Sequence, residues 1–568
     1  MKKKSILYTS ILIALALSAC GKTPTPSSSF VSSEDAPSSI SSEKESSSSS
    51  SSKESSSSKE SSSSSEKSSS QSSSSSEASS SEEQSSSSEA SSSSEASSSS
   101  EASSSSEISS SSESSSSELP PEEDNFVTLE LFALNDMHGN VIDSTTGLGI
   151  GKTTTLLKWY PDDVNNALYI SQGDMWQGSA ESNSTKGKLV TDWMNQMNFT
   201  SMTVGNHEFD WTTSYVESNS QMANFPFLGI NVYSRSTNQR VNYLKASTVV
   251  EKNGAKIGII GAIGDCYNSI SSSMVQDIYF KVGDELTNLV KQEATRLRNQ
   301  EGCDMIIYSI HDDDSYYDSS LSNGYVDLVL EGHTHQNYVR TDAFGVYHIQ
   351  SAGYNKTINY INVTLNTTKD TFVINRTKSI YTSDYDYFTA DATAESLFTK
   401  YADDINGTND VLGYNYRQRN STYLRNLVAS LYLQHGMEAW GSQYNIFLAG
   451  GYLSCRSPYY LYEGDVTYAD LYTLFPFDNK LQLCSVRGSD LDSKFVNTTN
   501  NNYYISYSDY GDGLKYAIDP YATYYIVVDS YTSDYSYNNL TVIADYNPNT
   551  YYARDMLADY ARAGGFMD

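Results

Sequence analysis

The chain has seven histidines in 568 residues, and five of them stand beside other side chains able to hold a metal. They occur in Asp136-Met137-His138, Gly205-Asn206-His207-Glu208, His311-Asp312 and Gly332-His333-Thr334-His335, and Gly173-Asp174 has the same setting. Imidazole nitrogen mixed with carboxylate and amide oxygen suits Zn²⁺, Mn²⁺ or Fe, rather than Ca²⁺ or a thiolate-held structural zinc. No Cys lies in these loops. A single D-x-H or H-x-H is an ordinary polar loop, whereas an ordered series of them points to a divalent metal centre. Several neighbours have plainer readings. Asp312, Asp313 and Asp314 read as a solvated acidic loop, Glu208 as a support for its loop, and Trp176 as a wall beside Asp174. His348, alternating within a strand, and His435, in a helix-like stretch, read as packing or surface residues.

The elements that must position these residues are visible as apolar runs. FVTLELFALND, ALYISQGD, SMTVGNHE, AKIGIIGAIGD, DMIIYSIHDDD and VDLVLEGHTH each read as a short strand entering a loop rich in Gly, Asp, Asn or His. Helix-like stretches, Lys188 to Asn198 and Asp284 to Gln300, lie between some of them. This is an α/β layout with its chemistry gathered where strands end. A helical segment, Ala392 to Ile405, leads into a second, Tyr-rich body. Tyr offers apolar area with a polar tip, which suits half-wet surfaces and stacking sites alike.

LNDMHGN, QGDMWQGS, GNHEFD and GHTH, in that order, resemble the calcineurin-like metallophosphoesterases, specifically the exported 5′-nucleotidase and UDP-sugar hydrolase family, from about Phe126 to the C-terminus. The resemblance implies a metallophosphoesterase β-sandwich flanked by helices and then a separate α+β 5′-nucleotidase C-terminal domain. It implies two divalent ions, Zn, Mn or similar: Asp136, His138 and His335 hold one, Asn206, His311 and His333 the other, and Asp174 bridges both. Paired ions clamp a phosphoryl oxygen and activate a bridging hydroxide for in-line attack. His207 is then no ligand: it faces the scissile phosphate and stabilises the transition state or protonates the leaving group, with Asp210 orienting it.

In the second body, LAGGYLSCRSPYYLYEGDVTYADLYTLFPFDNKL resembles the family's substrate domain, in which a Gly-Gly turn precedes an Arg and a later Pro-Phe-x-Asn. Carried over, Arg456, Phe477 and Asn479 bind substrate, the Arg by its planar fork and the Phe by stacking on a base. Of Arg417, Arg419 and Arg425, the expectation falls on Arg419. The chain departs from the pattern at Ala449, where the family has Asn, and at SYTSDYSYNN, which replaces a Gly-Gly-Asp-Gly-Tyr loop. Tyr531 and Asp534 of that segment are expected to supply a second aromatic wall and a carboxylate. The implied substrate is an extracellular nucleotide, with a 2′,3′-cyclic nucleotide or a nucleotide-sugar as alternatives. A non-catalytic surface interaction protein on the same scaffold is the alternative from another class.

The chain begins with Lys-Lys-Lys and an apolar run from Ile6 to Ala19, shorter than the ~20 residues of a membrane-spanning helix and of secretory type. Leu17-Ser18-Ala19-Cys20-Gly21 resembles the lipobox of bacterial lipoproteins, which implies lipidation at Cys20 and attachment to the outer face of the cell membrane. Residues to Glu118 are almost entirely Ser with interspersed Glu, a composition that cannot bury a core and reads as a disordered, extended tether. Such a tether carries the body toward the cell wall or exterior. The expected division is a signal peptide over 1–19, a tether over 20–124, a catalytic domain over 125–385, a linker helix over 386–405 and a substrate domain over 406–568. The net charge of −32 argues against a nucleic-acid polymer as partner, and a monomer binding a small phosphate ester is expected. After Cys20, four Cys remain: Cys266, Cys303, Cys455 and Cys484. They are consistent with two disulfides or with buried thiols.

Overall fold

The computed structural model describes residues 123–144, 147–313, 317–547 and 550–567. They belong to one compact unit, Ser114–Asp568; the other, Met1–Glu113, lies outside the described residues. The leader, Cys20, the tether before Glu123 and Asp314 are likewise outside them.

Twelve strands build two six-stranded sheets. In chain order they are β1 (Phe126–Leu134), β2 (Ala167–Ser171), β3 (Ser201–Thr203), β4 (Phe227–Leu228), β5 (Ser247–Lys252) and β6 (Ala255–Ile263), then β7 (Met305–His311), β8 (Leu328–Glu331), β9 (Tyr338–Thr341), β10 (Tyr347–Gln350), β11 (Thr357–Asn366) and β12 (Thr371–Tyr381). The first sheet has the order β12-β11-β1-β2-β3-β4 and the second β9-β10-β8-β7-β6-β5. Strands β1, β2 and β3 run parallel, as do β6, β7 and β8.

Two-residue periodicity explains the layering, because successive side chains of a strand face opposite ways. Leu129, Leu131 and Ala133 of β1 meet Ile257, Ile259, Met305 and Ile307 in a core between the sheets. The alternate residues face helices. Phe132 and Leu134 pack with Leu156 and Leu157 of α1 (Ile150–Trp159) and with Leu189 and Trp193 of α2 (Lys188–Gln196). On the far side, Ile306, Tyr308 and Ile310 pack with Leu286, Val290 and Ala294 of α3 (Asp284–Arg296), one helical stripe at four-residue spacing. Strands buried on both faces read as continuous apolar runs, and each fully buried Leu or Ile contributes roughly 1.5–3 kcal/mol.

The expected helix over 392–405 forms as α4 (Ala392–Lys400), with the Asp391 carboxylate accepting from the Thr393 and Ala394 backbone N–H groups. A third sheet then appears, from β13 (Ile446–Tyr452), β14 (Leu481–Arg487), β15 (Tyr503–Tyr507), β16 (Thr523–Asp529) and β17 (Thr541–Asp545), in the order β15-β13-β16-β14-β17. Helix α5 (Ser421–Trp440) covers one face of it through Leu424, Val428 and Tyr432. Gly450-Gly451 is not the turn the sequence reading expected. Both lie inside β13 with φ of 128° and 129°, where a Cβ on Gly450 would overlap the Tyr504 carbonyl of β15 and one on Gly451 the Thr532 side chain. All four described cysteines are buried free thiols, which decides the question of disulfides for them. Among the described residues no helix is long and apolar enough to cross a membrane.

Candidate metal centre and substrate cavity

The parallel strands of both sheets end on one side, and their loops converge. Asp136 follows β1, Asp174 follows β2 and Asn206 follows β3; His311 ends β7, and His333 and His335 follow β8. Four of these residues, and His138 with them, hold left-handed backbone conformations: Asp136 (φ 51°), His138 (48°), Asp174 (54°), His333 (73°) and His335 (56°). Such strain costs of order ~1 kcal/mol or more per non-glycine residue and accumulates where side chains must be aimed at one point.

The side chains fall into two groups that share a carboxylate. His138 Nε2 and His335 Nε2 lie 3.0 Å apart, with Asp136 Oδ1 at 3.8 and 3.2 Å from them. Asn206 Oδ1 lies 3.2 Å from His311 Nε2 and 3.1 Å from His333 Nδ1. Asp174 Oδ2 stands 3.3 Å from His311 Nε2 and 3.9 Å from His138 Nε2, facing both groups. The far nitrogens are already engaged: His138 Nδ1 donates to the Gln177 carbonyl at 2.9 Å, and His311 Nδ1 to the Gln172 carbonyl at 2.6 Å. In the neutral form of each ring Nε2 is then the unprotonated, inward-facing nitrogen, the tautomer of a metal ligand.

This donor set fits divalent metal. Two imidazole nitrogens converge to 3.0 Å, both beside the Asp136 carboxylate. Asp136 Oδ1 is buried with no hydrogen-bond partner. Burial lowers the pKa of His311, yet Asp174 beside it outweighs burial and pushes it up to about 10. The carboxylates thus hold a cationic charge on a buried ring, the sign of charge a metal ion supplies.

Glu208 holds the frame, as the sequence reading had it. Its carboxylate accepts from the backbone N–H groups of Asp174 (2.8 Å), Met175 (2.9 Å) and Gly205 (2.7 Å). Two other readings are corrected. Asp312 is buried, not solvated: its carboxylate accepts from Asp313 N (2.9 Å) and Cys266 N (3.0 Å), which fastens the loop after β6 to the end of β7. Trp176 is no wall. Its indole is wholly buried against Phe227, ring centroids 5.7 Å apart. His348 is a buried packing residue whose Nδ1 donates to Glu331 at 3.0 Å, and His435 lies 3.3 Å from the Tyr546 hydroxyl.

His207 stands outside both groups. Its Nδ1 donates to Asp210 Oδ2 at 2.8 Å, and its Nε2 accepts a short hydrogen bond from the Arg456 guanidinium. Arg456 also lies over the Phe477 ring, 5.2 Å from its centroid. A cavity of about 220 Å³ opens here, lined by His207, Asp210 and Trp211 from the first sheet's loops and by Phe477, Asn479 and Tyr531 from the third sheet's. Asp534 stands beside it, accepting from the Ser271 hydroxyl at 2.6 Å. Arg419 is not among the lining residues. Its guanidinium packs over the Tyr423 ring at 4.5 Å and its Nε donates to Asn415 at 3.3 Å. The sequence reading also missed a donor: the sulfur of Cys266 and one ring nitrogen each of His311 and His333 lie within 4.8 Å of one another. Cys266 follows the parallel strand β6, whose loop contains no His.

Comparison with known proteins bears on both halves. Residues 405–552 match the family model of the 5′-nucleotidase C-terminal domain. Protein UshA of Yersinia enterocolitica is 30% identical over 236 residues, 38% of this chain and 41% of that protein. Apyrase of the fly Tabanus yao is 28% identical over 233 residues, again 38% and 41%. The chain thus spans about two fifths of the length of these relatives. In fold, a 5′-nucleotidase precursor from Thermus thermophilus superposes with a TM-score of 0.62 at 18% identity, covering 77% of this chain and 96% of that one. The sulfate thiohydrolase SoxB of the same genus superposes at 0.58 and 15% identity, covering 79% and 95%. Residues 405–552 thus carry a 5′-nucleotidase C-terminal domain, and the described body shares the fold of the 5′-nucleotidases.

Proposed function

We propose that the protein is a dinuclear-metal phosphohydrolase that releases phosphate from nucleotides. The observation that carries this reading is the position of Asp174 Oδ2, 3.3 and 3.9 Å from a nitrogen of each histidine group. Asp136, His138 and His335 would hold one ion and Asn206, His311 and His333 the other, with Asp174 placed to serve both. Two divalent ions so held, Zn, Mn or similar, offset the charge of the reacting phosphoryl group and supply a nucleophile at neutral pH. The chain's own residues do the rest. Arg456, now on His207, exchanges that partner for a substrate phosphate oxygen, which a guanidinium binds with two donors. This frees His207 Nε2, held in orientation by Asp210, to stabilise the leaving oxygen or deliver its proton. Phe477 and Tyr531 enclose the base, and Asn479 offers it an amide.

A second reading, a diester or nucleotide-sugar substrate, is favoured by one observation. A further cavity of about 360 Å³ lies between His138 and Arg456, lined by Gln177 and Tyr354. Both amide atoms of buried Gln177 lack a protein partner, so a second substituent on phosphorus has room and a hydrogen-bonding group there.

The division at 385 and 405 into catalytic domain, linker and substrate domain is retained in this reading. So are export, lipidation at Cys20 and a monomeric body on a Ser/Glu tether, all resting on the sequence. The test is phosphate release by the purified protein from nucleoside monophosphates, 2′,3′-cyclic nucleotides and UDP-sugars, with and without chelator. Chelator-sensitive turnover of monophosphates is expected. Two bound metals with no turnover of any substrate would favour the interaction-protein alternative.

A further inference from the structure

Six loops leave the parallel strands toward the metal centre, three from each sheet, and five carry the residues assigned above. The sixth follows β6 and carries Cys266, whose sulfur no assignment so far uses. The loop is closely built. Gly264 has no side chain where a Cβ would overlap the Asp312 carboxylate, and that carboxylate accepts from Cys266 N at 3.0 Å. The anchoring turns the sulfur inward: Cys266 is 5% exposed, and its Sγ lies 2.9 Å from the His311 carbonyl. One ring nitrogen each of His311 and His333 completes a triangle with Sγ in which no separation exceeds 4.8 Å. Ligand atoms of one tetrahedral or five-coordinate ion stand about 3–4 Å apart when each lies ~2.0–2.3 Å from the metal, so a small closure suffices.

We propose that Cys266 is an additional ligand of the metal position formed by Asp174, Asn206, His311 and His333, and that it makes this position select a soft divalent ion, Zn²⁺ or Cd²⁺, over Mn²⁺ or Mg²⁺. The inference rests on the dinuclear reading and adds a ligand to it. On coordination the S–H bond breaks, a sulfur–metal bond forms, and the proton leaves to solvent, so the ion gains an anionic ligand without change of oxidation state. Thiolate beside imidazole favours Zn²⁺ over the oxygen-preferring ions. The other position, with Asp136, His138 and His335, has no Cys in its group among the described residues.

The test uses the full chain in a Cys20→Ser background, stripped and reloaded with Co²⁺, with metal counted by elemental analysis and the near-ultraviolet spectrum recorded. A sulfur-to-cobalt charge-transfer band is expected. It should vanish in Cys266→Ser, which retains cobalt, and persist when Cys303, Cys455 and Cys484 are all replaced by Ser. In competition, the preference for Zn²⁺ over Mn²⁺ should fall by about tenfold or more in Cys266→Ser. Should that variant not fold, the triple variant still isolates Cys266 as the remaining thiol. Cobalt bound without the band, or a band surviving in Cys266→Ser, overturns the inference and leaves the dinuclear reading standing. A chain that binds no cobalt sinks both.

Discussion

His207 is gripped from both sides, by Asp210 on Nδ1 and Arg456 on Nε2, and neither contact involves the metal groups. Its replacement should therefore separate chemistry from metal binding. His207→Asn is expected to keep the full metal content and lower kcat by about 10²-fold or more, the range for a lost general acid; elemental analysis beside steady-state kinetics reads both. Loss of metal would show that His207 is a ligand after all. Asp529 offers a test of a different kind. Burial pushes its carboxyl up to about 6, although Thr532 and Asn479 hydrogen-bond to it. The folded carboxyl holds its proton more tightly than the unfolded one, whose pKa is about 3.9. Its contribution is thus full below about pH 4 and is lost as pH rises through about 6, after which the ionised group costs the fold roughly 3 kcal/mol. Asp529→Asn keeps an acceptor for Thr532 N and does not titrate. Its melting temperature relative to the parent should climb between pH 4 and 7, and a flat difference would refute the assignment.

At the scale of elements, the strands and the histidine loops were legible because each is a local pattern: an apolar run sets the strand, and the residues after it set the loop. What was not legible lies where one element depends on another. Nothing in the string AIGDC tells that its Cys faces His333, because Asp312, just past the end of β7, pulls that loop in. The acidic string after His311 looked solvated for the same reason. Arg419 was chosen among three nearby arginines on the resemblance of its segment to the family's, and its neighbours Tyr423 and Asn415 take it. Glycines are the clearest sign of such crossings. A Cβ on Gly205 would overlap Asp174 Oδ1 and lie 2.8 Å from His311 Cε1. Gly205→Ala should therefore displace the Asp174 carboxylate, lowering metal affinity by about 10-fold or more while the sheets persist. Isothermal titration with Zn²⁺ against a far-ultraviolet dichroism spectrum would show whether the damage stays in the loop.

Over the whole body, the cavity proposed above to receive the base exists only while the two halves meet, since Trp211 and His207 come from one and Phe477 and Tyr531 from the other. Lys186 is one of the ties between them, beside Arg456 on His207 and Ser271 on Asp534. Its Nζ lies 4.9 Å from the centroid of the Trp211 ring and 3.0 Å from Asp478 Oδ2. Asp478 in turn bonds Arg554, and Arg554 donates to the Phe477 carbonyl at 2.9 Å. Burial would raise the Asp478 carboxyl, but Arg554 and Lys186 hold it below the usual carboxylate range, so it stays ionised as the hub of the seam. The Lys186 side chain is 26% exposed and Asp478 20%, and a partly exposed pair of this kind contributes about 1 kcal/mol at most. Lys186→Met keeps the stem over Trp211 and removes only the charge. It should raise KM for nucleoside monophosphates by about fivefold, the equivalent of ~1 kcal/mol, with metal content unchanged. A small alkyl phosphate, which has no base to place against Phe477, should be hydrolysed with an unaltered KM. Equal losses on both substrates would mean that Lys186 supports the metal centre rather than the seam.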